Sequence, residues 1–109
     1  MTVAEMVKAL DLTAATPVPA REVTGAIAVD LISDVLANAA PGQVWITIQT
    51  HRNVAAVASA QGLAAVLITG GRAPSDDLLN LARAEDVAVL LSADETFGVC
   101  GRLYALGVR

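Results

Sequence analysis

Two uninterrupted apolar runs, residues 64–69 and 87–91, constrain the fold of this chain more than any other feature. Both are too short for an ordinary helix and lack alternating polar residues, which is typical of strands covered on both faces of a parallel sheet. A segment opening with Pro74, Ser75, Asp76 and Asp77 separates them, with acids where the dipole of a starting helix favours them. Parallel strands need such a crossover, so the runs predict a βαβ unit.

The rest of the chain repeats this alternation of strand and helix. Thr2 and Glu5 predict a capping box, whereas Asp30 and Thr50 each predict a helix N-cap. Further helices are expected at 3–10, 31–39, 51–60 and after Ser92 or Asp94, and strands at 23–29 and 44–49, with a short extended piece at 12–15. We therefore predict an α/β fold: a single domain over residues 1–109, with a mostly parallel sheet of about four to five strands and helices on both faces.

Small apolar side chains dominate the composition. Apolar residues make up 55% of the 109 residues, and the aromatics are Trp45, Phe97 and Tyr104. The predicted strand 23–29 has one small face, so we expect close packing there, and the small, apolar helix 51–60 should be buried on more than one side. The apolar side of the last helix is predicted to carry Phe97, Cys100, Leu103, Tyr104 and Leu106. This composition suits either a close-packed parallel sheet or an oligomer.

Charge and cysteine content exclude several classes of protein. The formal net charge is −4 and the seven basic residues are scattered, so a nucleic-acid or anionic-membrane surface is not expected. The single cysteine, Cys100, forms no intramolecular disulfide, and neither a signal peptide nor a stretch of about 18 apolar residues is apparent. We expect a cytoplasmic protein.

No catalytic motif is present in the sequence. The segment 70–72 lacks the glycine spacing and lysine of a phosphate-binding P-loop, and no dinucleotide-binding glycine pattern follows a strand. His51 is the only histidine, no serine sits in a nucleophile elbow, and Cys100 is expected in the core. An enzyme using His51 with Asp30 or Asp34 is therefore disfavoured, and we predict neither a metal nor a cofactor.

Polar residues follow two neighbouring predicted strands and suggest a ligand site. Ligands of parallel sheets bind at the carboxyl ends of the strands, and the start of a helix attracts anions. The predicted ligand-binding residues are Thr47, Gln49, Thr50, His51 and Asn53 from one strand end, and Gly70, Gly71 and Arg72 from the next. In this interpretation the two glycines expose backbone amides and Arg72 supplies positive charge.

Each of these residues also has a purely structural interpretation. Thr50 would only cap a helix, the two glycines would only turn the chain, and Arg72 would only pair with Asp76 or Asp77. Gln49 and His51 would only line a dimer contact. A secondary candidate site for a cation or for hydroxyl groups, with helix capping as its alternative, consists of Asp30, Ser33 and Asp34.

Five segments stand out by their order and spacing: 30–39 (DLISDVLANA), 44–54 (VWITIQTHRNV), 62–66 (GLAAV), 70–72 (GGR) and 101–104 (GRLY). Together they resemble stand-alone DRTGG-domain proteins of bacteria. The name-giving motif corresponds to 21–26 (REVTGA), which keeps the Thr-Gly pair but lacks the leading Asp-Arg and the second Gly. The resemblance implies a fold similar to the N-terminal domain of HPr kinase/phosphorylase. It also implies a role like the accessory domains of phosphotransacetylases and CBS-type pyrophosphatases, which dimerise and sense ligands.

Two functional hypotheses follow from the residues and the resemblance. The first is a non-catalytic regulatory homodimer that senses a small anionic ligand, most specifically a nucleotide. The second is a ligand-free interaction module that dimerises, or docks on a larger redox or signalling enzyme, through the small-residue faces of 23–29 and 51–60.

Overall fold

A computed structural model describes residues 1–109 as five strands and five helices. The helices and strands alternate along most of the chain. In chain order they are α1 Val3–Ala9, β1 Thr13–Ala14, β2 Gly25–Ala28, α2 Ile32–Asn38, β3 Gln43–Thr47, α3 Arg52–Ala60, β4 Ala65–Ile68, α4 Asp76–Ala84, β5 Val89–Leu91 and α5 Thr96–Ala105. None of these helices has the length and apolar character needed to span a bilayer.

The five strands form one sheet in the order β1-β5-β4-β3-β2. Strands β2 to β5 are parallel neighbours in sequence order, and only the two-residue β1 is antiparallel, at the edge beside β5. The central strand β4 is fully buried, as its apolar run predicts. The predicted α/β fold with a mostly parallel sheet is therefore confirmed.

Helices cover both faces of the sheet and define two apolar cores. On one face α1 and α5 pack on the sheet around Met6, Leu67 and Leu103. On the other face the three crossover helices α2, α3 and α4 pack around Trp45. Trp45 is fully buried, and its indole Nε1–H donates to the Val29 carbonyl at 2.7 Å, which satisfies the one polar group of that side chain.

The predicted caps of three helices are wrong, whereas α1 and α4 begin as predicted, α4 directly after Ser75 with Asp76 and Asp77 in its first turn. The capping box of Thr2 and Glu5 is present. The predicted caps Asp30 and Thr50 are wrong, because Leu31 and His51 occupy the N-cap positions of α2 and α3 without a side-chain capping bond. Neither Ser92 nor Asp94 caps α5, whose N-cap is Glu95.

Three predictions about burial are also wrong. Helix α3 buries only one side and leaves Ala56 exposed, and α5 buries Val99 and Leu103 but leaves Phe97 91% and Tyr104 61% exposed. The small face of β2 is not closely packed either, since Ala26 and Ala28 line an open cavity. Strand β2 is the edge of the sheet and α5 packs toward β3, so no helix covers the α5 side of β2, which explains the exposure of the α5 aromatics and of the small face of β2.

Candidate functional site

The carboxyl ends of the parallel strands bring the predicted site residues to one edge of the sheet. Strands β3 and β4 pair through Thr47 and Ile68, and the Thr69 N–H then donates to the Thr47 carbonyl at 3.1 Å. The following loops stay adjacent, because the Ser75 N–H donates to the Thr50 carbonyl at 3.0 Å. The segments 47–53 and 69–72 are therefore neighbours, as the sequence predicted.

Asp30 organises the loop between β3 and α3. Its Oδ1 accepts hydrogen bonds from the Thr47 hydroxyl and from the Ile48 N–H, both at 3.0 Å. Gln49 completes the arrangement: its N–H donates to the Thr47 hydroxyl at 3.1 Å, and its Nε2 donates to the Asp30 carbonyl at 3.3 Å. Thr47 is fully buried, so it positions this loop and offers no exposed group to a ligand.

The secondary candidate residues are not gathered into one cluster. Ser33 and Asp34 lie in the first turn of α2, and neither shares a hydrogen bond with Asp30, whose carboxylate faces the β3–α3 loop. The structure contains no group of three or more His, Cys, Asp or Glu side chains placed to hold a metal ion.

The start of α3 presents backbone donors that the chain itself does not use. The N–H groups of Thr50, His51, Arg52 and Asn53 make no hydrogen bond within the protein, and the N-cap His51 provides no side-chain acceptor. His51, Arg52 and Asn53 are exposed. The first turn of a helix carries a partial positive charge, and unpaired N–H groups there bind phosphate or carboxylate groups well.

Gly70 and Gly71 play a different part from the predicted one. The Gly70 N–H donates to the Asp94 carbonyl at 2.8 Å and the Gly71 N–H to the Ser92 carbonyl at 2.9 Å. The prediction that these amides are free for a ligand is wrong, because both are used to hold the loop after β5. Both glycines have positive φ angles, +74° and +69°, which allow the chain to turn toward that loop.

Arg72 lies beside this turn with most of its hydrogen-bonding capacity free. Its Nη1 donates to the Thr69 carbonyl at 3.0 Å, and its guanidinium covers Gly70 so closely that a Cβ there would collide with it. The two ion pairs of the chain involve other residues, so Arg72 does not pair with Asp76 or Asp77. The exposed guanidinium keeps further N–H donors directed at solvent.

The loop after β5 adds residues that the sequence did not single out. The hydroxyls of Thr69 and Thr96 hydrogen-bond at 2.7 Å, and the Glu95 carboxylate lies close to Gly70. The available signal was a third parallel strand followed by a polar segment, since its loop must meet the other two at the same edge. The Glu95 carboxylate therefore lies near the Arg72 guanidinium, because both lie against the same glycine.

The carboxyl edge is an open surface, and the two cavities of the structure lie elsewhere. A cavity of about 170 Å³ lies between β2 and α5, and another of about 160 Å³ lies between residues 23–25 and 106–109. The first is mostly apolar and is lined by Ala26, Ala28, Ile46, Cys100, Leu103, Tyr104, Val108 and Arg109. Burial raises the pKa of the Cys100 thiol, so this side chain stays protonated near neutral pH.

Comparisons with known proteins agree with the fold. The family model of the DRTGG domain matches residues 2–106. No curated protein matches the chain. A structure of the CBS and DRTGG domains of the regulatory region of Clostridium perfringens pyrophosphatase, complexed with the activator diadenosine tetraphosphate, aligns with a TM-score of 0.73 and 14% identity. The alignment covers 94% of this chain and 45% of that one, so this chain spans less than half of the neighbour.

Proposed function

The chain belongs to the DRTGG domain family, and from this premise we propose that it is a non-catalytic, homodimeric regulatory domain that senses a small anionic ligand, specifically a nucleotide. One observation carries the proposal: four consecutive unused N–H groups, those of residues 50–53, begin α3 beside the loop that carries Arg72. The pyrophosphatase neighbour supports it, since that regulatory region is complexed with a nucleotide activator.

In the proposed site, backbone N–H groups and Arg72 bind the phosphate, and other side chains bind the base or sugar. The N–H groups of Arg52 and Asn53 and the guanidinium of Arg72 hold a phosphate group by charge-assisted hydrogen bonds. The Nε2 of Gln49 donates to the Asp30 carbonyl, which leaves the Gln49 Oε1 free to accept a hydrogen bond from a base or sugar. The exposed side-chain amide of Asn53 can bind the base or sugar in the same way. A cytoplasmic location, where nucleotides are abundant and Cys100 stays a thiol, completes the proposal.

The backbone contribution is tested by substituting Arg52 in two ways. Arg52 is the first helical residue after His51, whose φ of −89° and ψ of 160° suit a residue that precedes proline. Arg52→Pro therefore removes the N–H and keeps the helix, whereas Arg52→Ala removes only the side chain. We expect the proline variant to bind nucleotide about tenfold more weakly than the alanine variant, for the loss of one charge-assisted hydrogen bond. Equal affinities by calorimetric titration would exclude this amide from the site.

The contribution of Arg72 is tested in the same titration. Arg72→Ala should weaken binding by about tenfold or more, because it removes the only side-chain cation on this turn. Arg83→Ala is the matched control, since Arg83 is also exposed but lies in the last turn of α4. Equal losses in both variants would indicate a general effect of charge and would remove Arg72 from the site.

The exposed apolar residues favour a second candidate function, an interaction module without a ligand. Leu31, Leu36, Phe97 and Tyr104 are all more than half exposed. A module of this kind would dimerise or dock on a larger redox or signalling enzyme. If its contact were the small-residue face of α3, Ala56→Trp would change the native mass in light scattering, because the exposed Ala56 accepts a larger side chain without disturbing the core.

A further inference from the structure

The outer face of α5 carries the two exposed aromatic side chains of the chain. Phe97 is 91% exposed and Tyr104 is 61% exposed. Gly98 and Gly101 lie between them on the exposed side, and, apart from chain neighbours and the adjacent backbone of α5, no atom comes within 4 Å of the position that a Cβ would take at either glycine. An exposed phenylalanine beside backbone without side chains leaves room for another helix to approach closely.

The apolar cavity of about 170 Å³ opens beside the same helix face. Its floor is formed by Ala26, Ala28 and Ile46, and Cys100 and Tyr104 form part of its wall. Residues three, four and seven apart lie along one side of a helix, so Phe97 lies on the same side of α5 as Cys100 and Tyr104. A protruding side chain and an empty cavity of aromatic size therefore share one face.

We propose that this face binds a second copy of this chain about a twofold axis near residues 100–101 of α5. In such an antiparallel helix pair, position 97 of one copy opposes position 104 of the other. Each Phe97 would then enter the cavity beside the other copy's Tyr104, and the two contacts are equivalent, as a twofold interface requires. The inference rests on the homodimer of the proposed function and names its surface.

The charges of the chain allow two copies to meet at this face. The net charge is −4, so two copies repel each other unless they meet at a surface without acids. Helix α5 contains no acidic residue, and its Arg102 is already paired with Asp94 at 2.7 Å. Arg109 is held over the Tyr104 ring, 3.7 Å from its centroid, and therefore does not point an isolated charge at the partner.

The two aromatics supply roughly a third of the area that a stable dimer needs from each partner. Aromatic side chains bury about 150–250 Å² each, so Phe97 and Tyr104 at their observed exposure supply on the order of 250 Å². A stable interface takes about 800 Å² from each partner. The glycines, Ala105, Leu106 and the residues around the cavity surround these aromatics and extend the contact.

Native mass tests the proposal directly. The whole chain should behave as a particle of twice 11.1 kDa, and Phe97→Ser should reduce it to 11.1 kDa at the same concentration. Phe97 makes no core contact at 91% exposure, so the variant should keep its circular dichroism spectrum. The matched control is Leu36→Ser on α2, which is 53% exposed on the opposite face and should remain dimeric.

The outcomes separate this surface from the rest of the proposed function. A monomeric wild-type chain would overturn both the dimer and this surface, whereas a dimeric Phe97→Ser variant would overturn only the surface. Nucleotide binding is measured independently in the monomeric variant, so its loss or retention tests the ligand site alone.

Cross-linking tests the position of the axis. Gly101→Cys in a Cys100→Ser background should form an intermolecular disulfide under mild oxidation, because residues beside a twofold axis bring their Cα atoms within about 7 Å. Ala56→Cys in the same background, on the opposite face, should not. A dimer that cross-links equally at both positions, or at neither, would contradict the proposed axis.

Discussion

Asp30 holds the loop between β3 and α3 in a way that its local sequence does not indicate. The sequence predicted an N-cap, since an aspartate stands just before a helix. In the structure its carboxylate instead accepts from Thr47 and Ile48 and fixes the loop that leads to α3. The difference is physical: a carboxylate can satisfy either set of donors, and only the pairing of β2 with β3 decides between them.

Substitutions of Asp30 should therefore lower the free energy of unfolding because they remove a hydrogen-bond acceptor, and not because they remove a charge. Asp30→Ala leaves the Thr47 hydroxyl and the Ile48 N–H without their partner, at a cost of about 1–2 kcal/mol. Asp30→Asn keeps an oxygen at the Oδ1 position and should cost less than about half of that. Urea unfolding of both variants measures the difference, and equal losses would contradict the role assigned to Oδ1.

The amides of Gly70 and Gly71 illustrate the limit of prediction at this scale. The sequence correctly placed a turn at this strand end, and the positive φ angles require one. Their hydrogen-bond acceptors, however, are Asp94 and Ser92, more than 20 residues along the chain. Sequence patterns report local turns well, but they do not report which distant carbonyl a loop amide meets.

Among the elements, α1 begins as its sequence predicts. Its capping box predicts how the stability of the protein depends on pH. The Thr2 N–H donates to the Glu5 carboxylate at 2.9 Å and the Glu5 N–H donates to the Thr2 hydroxyl at 3.1 Å. The hydrogen bond from the Thr2 backbone, and then that from its side chain, lower the pKa of Glu5 below its ordinary value of 4.5. The ionised form is therefore favoured by folding.

The sign of the pH dependence follows from that lowered pKa. The contribution of Glu5 to stability is fully present above its unfolded pKa and is lost as pH falls through its lower folded pKa. Glu5→Gln keeps an acceptor but does not titrate, so its stability should fall less than that of the wild type between pH 5 and pH 3. Denaturant midpoints across this range measure the effect, and parallel curves would show that the carboxylate charge contributes nothing.

Helix α5 shows which property of an element the sequence could not predict. Its existence follows from its polar start and its apolar content, and Leu103 is buried as expected. The periodic pattern predicts an apolar stripe on α5 that is wide enough to include Phe97 and Tyr104. It does not predict how wide the sheet surface is on which this stripe packs. Because β2 ends the sheet, that surface stops short, and the two aromatics remain in solvent.

For the whole molecule, the order of the parallel strands could be predicted from the sequence, but the antiparallel edge strand β1 could not. Three consecutive crossovers, each with its helix on the same face, produce neighbours in sequence order. The antiparallel β1 was harder to foresee, because two residues near the start of the chain pair with Leu90 and Leu91. The adjacency of segments 47–53 and 69–72 follows from the parallel order alone, which is why the sequence could place these two segments together.

The central claim, that the carboxyl edge senses a nucleotide, is tested most directly by thermal unfolding of the wild-type chain. Adenine and guanine nucleotides, with and without magnesium, are each added in excess. A ligand at about 100 times its Kd stabilises the folded state by about 2.7 kcal/mol, which raises the Tm of a domain of this size by roughly 10 °C. A selective rise in Tm with one nucleotide class is expected, and an unchanged Tm across the whole panel would contradict a nucleotide-sensing role.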